Sequence, residues 1–338
     1  MPADAQEPTP GSTGGPAPAQ VPRTPGSTGG PAPAQVPRTP GSTGGPAAGT
    51  AGAPAGVIYD LGYRRYGGVR LGRGHIARSL FLHSLRGSYG IGRGARAKIL
   101  PFAVLAIMCA PAAVAVVIAS QTGTQEIRYD AYPFMFQLLI VIFLAAQAPE
   151  MLSRDLRHHV LPLYFSRPLR RDDYALAKLG AMTTALFALI AIPLLVLFAG
   201  IAFTLVSKPG ELWTETTELV PGLANAGVHA LVLAAAGLAI SSFASRRAYA
   251  TGAVAGLYVI SQVVADIVRS APSQAVRERS GLLTPFDLLE GFKQWALRGT
   301  AVEEIDIGGA GWLYGLVTVA LLVAAVAVLL ARYRRVAA

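Results

Sequence analysis

Side chains that could carry acid–base, nucleophilic or metal chemistry are scarce in this sequence. Among 338 residues there are five histidines, none in the H-E-x-x-H spacing of a zinc protease, and one cysteine, Cys109. A single cysteine excludes an intramolecular disulfide and a cysteine-based zinc site. A G-x-x-x-x-G-K-[ST] phosphate loop needs a lysine before serine or threonine, and none of Lys98, Lys178, Lys208 and Lys293 is so placed. We therefore expect no cofactor, no metal ion and no ATP hydrolysis by this chain alone.

Pairs of acidic residues are also missing from the apolar parts of the chain. Asp266 is the one acidic residue within an apolar segment, so proteolysis by paired aspartates inside a membrane lacks its second carboxylate. No D-x-x-x-D pair flanks an apolar segment. An enzymatic function is the weaker expectation, and a membrane-embedded enzyme or scaffold that needs no ATPase is kept as the alternative.

The composition is that of a membrane protein. Hydrophobic residues make up 52% of the chain and charged residues only 14%, against about 25% charged residues in soluble proteins. A bilayer core of about 30 Å requires roughly 20 helical residues, and six apolar stretches can be tested against that length. They predict an all-α membrane protein with a transmembrane domain over 99–331, whose six transmembrane helices lie at 99–120, 131–148, 179–206, 219–244, 248–268 and 307–331.

Basic residues are distributed unevenly between the segments that flank these spans. Twenty arginines and lysines lie in the segment 57–98, between spans two and three, between spans four and five, and in the tail 332–338; seven lie in the other loops between the spans. Because basic residues are retained on the cytoplasmic side, we expect a multi-pass plasma-membrane protein with both termini cytoplasmic. The net charge of +10 then reflects topology. Nucleic-acid binding by the Arg/Tyr-rich segment 59–73 is the less favoured alternative, and no nucleic-acid partner is expected.

The chain before the first span has two parts of different composition. Residues 1–56 repeat the unit TPGSTGGPAPAQVPR, and this Pro/Gly/Ser/Thr composition without apolar bulk predicts a disordered tail. Residues 57–98 are basic and aromatic, with apolar residues recurring every four positions over 74–89. This spacing predicts a cytoplasmic segment with an amphipathic helix that lies at the interface with membrane lipids.

Polar residues inside a bilayer are costly and are candidates for function. Asn225 and His229 are four apart on the fourth span and therefore share one face of that helix. They either contact a transported substrate or form hydrogen bonds with neighbouring helices.

The longest outer loop, 269–306, is unusually apolar around Pro285. Phe286, Phe292 and Trp295 are among its large apolar side chains. These aromatic residues either form an outer gate or pack at the membrane interface.

The loop over 149–178 contains more patterned charged and apolar residues than a solvated connection requires. Glu150, Arg154 and His158 are spaced by four, which predicts a short charged helix ending before Pro162. An apolar patch follows that proline and is broken in turn by a second proline. A purely solvated loop needs no such apolar content, so the segment is predicted to be an interaction surface.

The order of residues in this loop also carries a resemblance. Besides the charged residues of the predicted helix, the motif includes Leu161, Pro162, Tyr164, Arg167, Pro168 and Tyr174. The pattern resembles the first cytoplasmic loop of ATP-binding-cassette type-2 permeases, in a form common in bacterial exporters. The resemblance extends from Tyr59 to the C-terminus, and the basic start over 59–66 is similar to actinobacterial members.

The resemblance implies a division of labour between subunits. Six spans form one half of a dimeric transmembrane unit, with a second permease subunit that is either identical or different, and a separate ATPase subunit uses ATP and Mg²⁺. The loop then docks on that ATPase. The residues to which the resemblance assigns this coupling are Glu150, Ser153, Arg154, Asp155, Arg157 and His158. Because few charges lie in the spans, a lipophilic or amphipathic cargo such as a drug, antibiotic or lipid is favoured.

Overall fold

The computed structural model describes residue 68 and residues 72–123, 127–157, 169–206, 208–244, 246–297, 305 and 307–336. The predicted tail 1–56 and residues 158–168 of the predicted loop lie outside these ranges. Within them, all regular structure is helical. The α-helices are α1 (Arg73–Ser88), α2 (Ala95–Thr122), α3 (Tyr132–Met135), α4 (Gln137–Arg157), α5 (Arg171–Thr204), α6 (Pro209–Phe243), α7 (Arg247–Arg269), α8 (Gln274–Ser280), α9 (Pro285–Ala296) and α10 (Gly311–Val336). Two 3-10 turns, Gly281–Leu283 and Gly308–Ala310, precede α9 and α10.

Five helices in the described part of the chain are long and apolar enough to cross a bilayer. They are α2, α5, α6, α7 and the segment Gly308–Arg335, which combines the second 3-10 turn with α10. The remaining predicted span is a shorter apolar helix, Gln137–Leu152, within α4. Helices satisfy every backbone hydrogen bond internally, as the water-free bilayer requires. The predicted all-α membrane architecture is confirmed, with one span shorter than the others.

The second span differs in its bounds from the prediction. The chain enters through the single turn α3, breaks at Phe136, and then runs as one helix from Gln137 to Arg157. The segment Glu150–Arg157, where a short charged helix was predicted, is helical, and it continues the second span as the last two turns of α4. Proline inside a helix removes one backbone hydrogen bond, but the Ala, Met, Leu and Arg residues around it are good helix formers and continue the helix.

The core is formed around α5 and α6, which pack along each other. α5 also packs against α1 and α2, and α6 also packs against α4, α7 and α10. Small residues allow these close approaches: a Cβ at Gly237 of α6 would lie 2.6 Å from Leu144 of α4, and one at Gly222 would lie 2.7 Å from Tyr129. Because lipid is as apolar as the helix surfaces, such tight packing supplies much of the association energy.

The helix ends form two polar zones. In one zone, acidic residues near the end of α4 and the start of α5 pair with four arginines, Arg73, Arg93, Arg247 and Arg334. We call this zone the Arg-rich end. At the opposite end, ion pairs join α9 to the end of α7 and to the connection before α3. Hydrogen bonds join that connection to α6, and α8 packs against α7. The alternation of ends agrees with the connectivity of a multi-span bundle.

α1 occupies the predicted amphipathic segment, but its apolar face packs on protein. Leu80 is buried, and Phe81 lies 3.5 Å from the position that a Cβ of Gly180 on α5 would take. Beyond the end of α1, the Tyr89 hydroxyl donates a hydrogen bond of 2.8 Å to the carbonyl of Ala185. α1 is therefore part of the bundle and covers the first half of α5.

Candidate functional site

Glu150 lies where α4 reaches the Arg-rich end, and its carboxylate binds two arginines from distant elements. Arg93, between α1 and α2, donates to Oε1. Nη1 of Arg247, the first residue of α7, lies 2.8 Å from Oε2. The Glu150 side chain is only 19% exposed, so the charges are screened less than those of a surface pair. This one carboxylate joins α4 to the α1–α2 connection and to α7.

Lys178 fixes the start of α5 to the end of α4. Its side chain is buried, its ammonium donates a hydrogen bond of 3.1 Å to the carbonyl of Met151, and it lies 5.4 Å from the centre of the Tyr174 ring. The Tyr174 ring contacts that of Tyr333 near the end of α10, at 5.1 Å between centroids. A buried ammonium is tolerated only when it is bonded, and the carbonyl and the ring face provide these contacts.

Two consecutive acids in the first turn of α5 form ion pairs with α10 and α1. Asp172 accepts two hydrogen bonds of 2.9 Å from Arg334 of α10, and Asp173 accepts from Arg73 of α1. Asp173 also accepts from the backbone N–H of Arg170, which caps the helix. Acidic side chains in a first turn are further favoured by the helix dipole. The chain on both sides of residues 158–168 is therefore anchored to the bundle.

A second polar cluster lies at the opposite end of the bundle. The side-chain amide of Asn225 donates a hydrogen bond of 2.8 Å to the carbonyl of Asp130, and Nδ1 of His229 lies 3.0 Å from the carbonyl of Asn225. Lys293 of α9 lies 3.4 Å from Asp130 and 2.5 Å from Glu290. Asn225, His229, Glu290 and Lys293 are all at most 1% exposed. A charged group buried this completely is retained only with a partner of opposite charge.

The surroundings shift the pKa values of the two acids in this cluster, Glu290 and Asp130, in opposite directions. Burial raises the pKa of Glu290, although the ammonium of Lys293 opposes the shift. Burial also works against ionisation of Asp130, but Lys293 and Arg128 outweigh it and lower the pKa of that carboxyl. The contact between Asp130 and Lys293 thus holds α9 on the connection between α2 and α3.

α9 has a second buried ion pair near its first turn. The carboxylate of Asp287 is fully buried and lies 2.6 Å from Arg269 at the end of α7. Its backbone N–H donates to the hydroxyl of Thr284, the N-cap of α9, at 3.0 Å. Burial raises the pKa of Asp287 against the opposing effect of Arg269. α9 is consequently attached to α7 as well as to the α2–α3 connection.

The three aromatic residues predicted as an outer gate all lie on α9 but do not act as one group. Phe286 is fully buried between His229 and Tyr258, at ring distances of 6.0 and 5.8 Å. Phe292 and Trp295 contact each other, with 6.3 Å between ring centroids. The Trp295 ring fills the space beside two glycines of α10, where a Cβ at Gly311 or Gly315 would lie 2.9 or 2.4 Å from it.

The sequence profile described as ABC-2 family transporter protein matches residues 79–337. This range begins in α1 and ends beyond the described part of α10, so it includes the second polar cluster and all of the Arg-rich end except Arg73. The chain belongs to the ABC-2 transporter family. Among curated proteins, none matches the sequence.

Family membership decides the general role of the chain. An ABC-2 member of this kind is the membrane-spanning permease component of an ABC transporter, a transport subunit that is not itself catalytic and that works with an ATP-binding subunit. The permease is a multi-pass membrane protein with several apolar spanning helices.

The residues that sequence reasoning assigned to coupling and to the loop motif lie between Glu150 and Tyr174. Glu150 and Tyr174 lie on its two described flanks, where both make contacts inside the bundle. The backbone of Ser153, Arg154, Asp155 and Arg157 is helical within α4. The remaining six residues of the predicted site lie outside the described residues: His158, Leu161, Pro162, Tyr164, Arg167 and Pro168.

Sequence reasoning missed the charged residues that hold α9. Asp287, Glu290 and Lys293 are spaced by three in a segment that reads as an apolar loop. That spacing on a helix places the three on neighbouring positions of one face, which is the signal that was available. Their partners, Asp130 before α3 and Arg269 at the end of α7, lie in other elements and have no local signal.

Proposed function

We propose that this permease exports a lipophilic or amphipathic substrate across the plasma membrane, driven by a separate ATPase subunit. Its Arg-rich end faces the cytoplasm, and the loop over 149–178 docks on the ATPase. The transmembrane unit contains two permease subunits. The excess of basic residues in the flanks at this end supports the orientation.

The observation that carries the coupling proposal is the attachment of both flanks of residues 158–168. Glu150 connects the preceding helix to Arg93 and Arg247, and Lys178 connects the following helix to Met151. A displacement of the docked segment is therefore passed to α1, α2, α4, α5 and α7 together. ATP-driven closure of the ATPase pair would move this group of helices and open the path between the permease subunits.

A cross-linking experiment tests both the docking and the orientation. The single cysteine is first removed by Cys109→Ala, and a new thiol is introduced by His158→Cys or, as a matched control at the opposite end, by Ser273→Cys. With the partner ATPase co-expressed, His158→Cys should form a cross-link to it and Ser273→Cys should not. In intact cells, a membrane-impermeant maleimide should label only Ser273→Cys.

Each part of the proposal has its own contradicting result. Labelling of His158→Cys from outside would invert the orientation. An absence of cross-linking, together with ATPase activity that does not respond to the permease, would contradict the docking and favour a membrane-embedded enzyme or scaffold that needs no ATPase.

A further inference from the structure

A cavity of about 260 Å³ lies among the spanning helices, and its lining contains none of the ion-paired residues of the two polar clusters. Its walls come from α4, α6, α7 and α10, and the 3-10 turn Gly281–Leu283 and the start of α9 close one end. Each of the four helices contributes an apolar side chain to the lining, for example Leu144, Leu233, Val254 and Leu321. The fully buried ring of Phe286 also lines the cavity and contacts His229 on another side.

The cavity lining has almost no free hydrogen-bonding groups for a hydrophilic ligand. Three lining residues, Tyr258, Ser261 and Thr284, carry hydroxyl groups. The Ser261 hydroxyl donates to the carbonyl of Tyr258 at 2.8 Å, and the Thr284 hydroxyl accepts from the N–H of Asp287. Only the Tyr258 hydroxyl has no hydrogen bond to the described residues. A polar ligand would therefore lose its hydration without replacement, so the geometry selects an apolar one.

The cavity is accessible from the side of the bundle. α7 and α10 both pack against α6, but they do not pack along each other. Two leucines of the lining, Leu257 on α7 and Leu283 in the 3-10 turn, are 55% and 44% exposed. Because α7 and α10 are spanning helices, the gap between them faces bilayer hydrocarbon. An occupant therefore enters from the membrane.

We propose that this cavity binds one hydrocarbon chain of a bilayer amphiphile. Its volume is below the range of about 300–1,000 Å³ typical of pockets that enclose a whole drug-sized ligand, which suits a single chain whose polar head stays outside. The bilayer is as apolar as the cavity, so binding depends on close packing of the chain against the walls. The chain comes either from a resident phospholipid or from the transported amphiphile, and only the second source rests on the proposed function.

Photolabelling of the purified permease tests the site. The probe is palmitic acid with a diazirine in its chain, added to the full chain in phosphatidylcholine nanodiscs, and labelled residues are mapped by mass spectrometry. Val317→Trp fills the cavity from α10. The matched control, Val319→Trp, adds the same ring two residues along the helix, at a position that is 56% exposed and outside the lining. Labelling of the lining should be lost in the first variant and kept in the second.

Equal labelling of the lining in wild type and both variants, or labels confined to outward-facing residues, would overturn the proposal. If Val317→Trp does not fold, Ser261→Phe replaces it, since that side chain enters the cavity from α7, and the same two outcomes apply. Loss of ATPase cross-linking would leave this labelling intact, so the failure of the two proposals can be told apart.

Two further measurements identify the source of the chain. Phospholipid retained by wild type and Val319→Trp, but not by Val317→Trp, would identify a bilayer lipid. Stimulation of the complete transporter's ATPase by single-chain amphiphiles, with the same dependence on the variants, would identify a cargo. An absence of both effects, together with unselective labelling, would show that the cavity does not bind a hydrocarbon chain.

Discussion

The ion pairs of Glu150 should contribute measurably to the stability of the permease. Glu150→Gln keeps the size of the side chain and removes its charge, which weakens the contacts with Arg93 and Arg247. Hydrogen bonds to charged groups contribute about 1.5–3 kcal/mol when shielded, whereas exposed ion pairs contribute about 0.2–1 kcal/mol. Arg93 is 27% exposed and Arg247 is 54% exposed, so the contact with Arg93 should be the stronger one.

These values set the size of the expected effect. The coupling should be about 1–2 kcal/mol with Arg93 and about 0.5 kcal/mol with Arg247. The single variant Glu150→Gln should therefore lose about 2 kcal/mol, which corresponds to a fall in Tm of about 4–8 °C for a domain of this order of size.

Double-mutant cycles measure both couplings. Thermal unfolding in one detergent at one scan rate is followed by tryptophan fluorescence for Glu150→Gln, Arg93→Gln, Arg247→Gln and the two double variants. Each double variant should lose less than the sum of its single variants. Glu211→Gln is the matched control, because it breaks an exposed pair with Lys208 whose side chains are 61% and 57% exposed, and its effect should stay below about 1 kcal/mol.

Two outcomes would refute this reasoning. Strict additivity in the Arg93 cycle would mean that the contact contributes nothing, despite its shielding. A Glu150→Gln shift no larger than that of the Glu211→Gln control would mean that burial at this end of the bundle does not strengthen ion pairs.

Three further predictions concern α9. A Cβ at Gly291 would lie 2.2 Å from the Tyr314 ring, so Gly291→Ala should cost about 1–3 kcal/mol of stability, whereas Gly252→Ala, with nothing within 4 Å, should leave Tm unchanged; equal shifts would contradict this packing. Burial raises the pKa of Glu290 above 4.5, so the folded form retains a proton that the unfolded form loses, and the contribution of Glu290 to stability should fall as the pH rises above 4.5. The Tm of Glu290→Gln minus that of wild type should therefore increase with rising pH, and a constant difference would argue against the shift. Lys293→Met leaves two buried acids without their ammonium and should cost about 3–5 kcal/mol, seen as loss of folded protein on size-exclusion chromatography; an unchanged yield and Tm would contradict the buried pair.

The ion pairs that attach α9 to other elements affect how a path through this permease can open. Asp287 and Lys293 attach the helix to the end of α7 and to the connection between α2 and α3. Two ion pairs with buried partners make independent lifting of α9 costly. A movement of α9 is therefore expected to involve both α7 and the connection between α2 and α3, and the aromatic residues of α9 would move with them.

Sequence reasoning succeeded where the physical signal is local. A span is recognised from about 20 consecutive apolar residues, and the predicted span over 219–244 begins within α6 and ends one residue beyond it. The continuation of α4 beyond Pro149 was missed, because proline is usually a boundary and the packing that keeps this helix together comes from other elements. Asn225 and His229 were recognised as neighbours on one face from their spacing alone.

The class of the protein was determined by the sequence itself, because hydropathy and the distribution of basic residues are sums over neighbouring positions. Which charges meet was decided only by the tertiary structure. Glu150 pairs with Arg93 across 57 positions, and Asp130 pairs with Lys293 from a different connection. Such pairs depend on which helix ends lie side by side, and this is set by the packing of small residues between helices rather than by any local pattern. The lateral cavity has the same origin, since it exists because α7 and α10 share α6 as a neighbour without packing on each other.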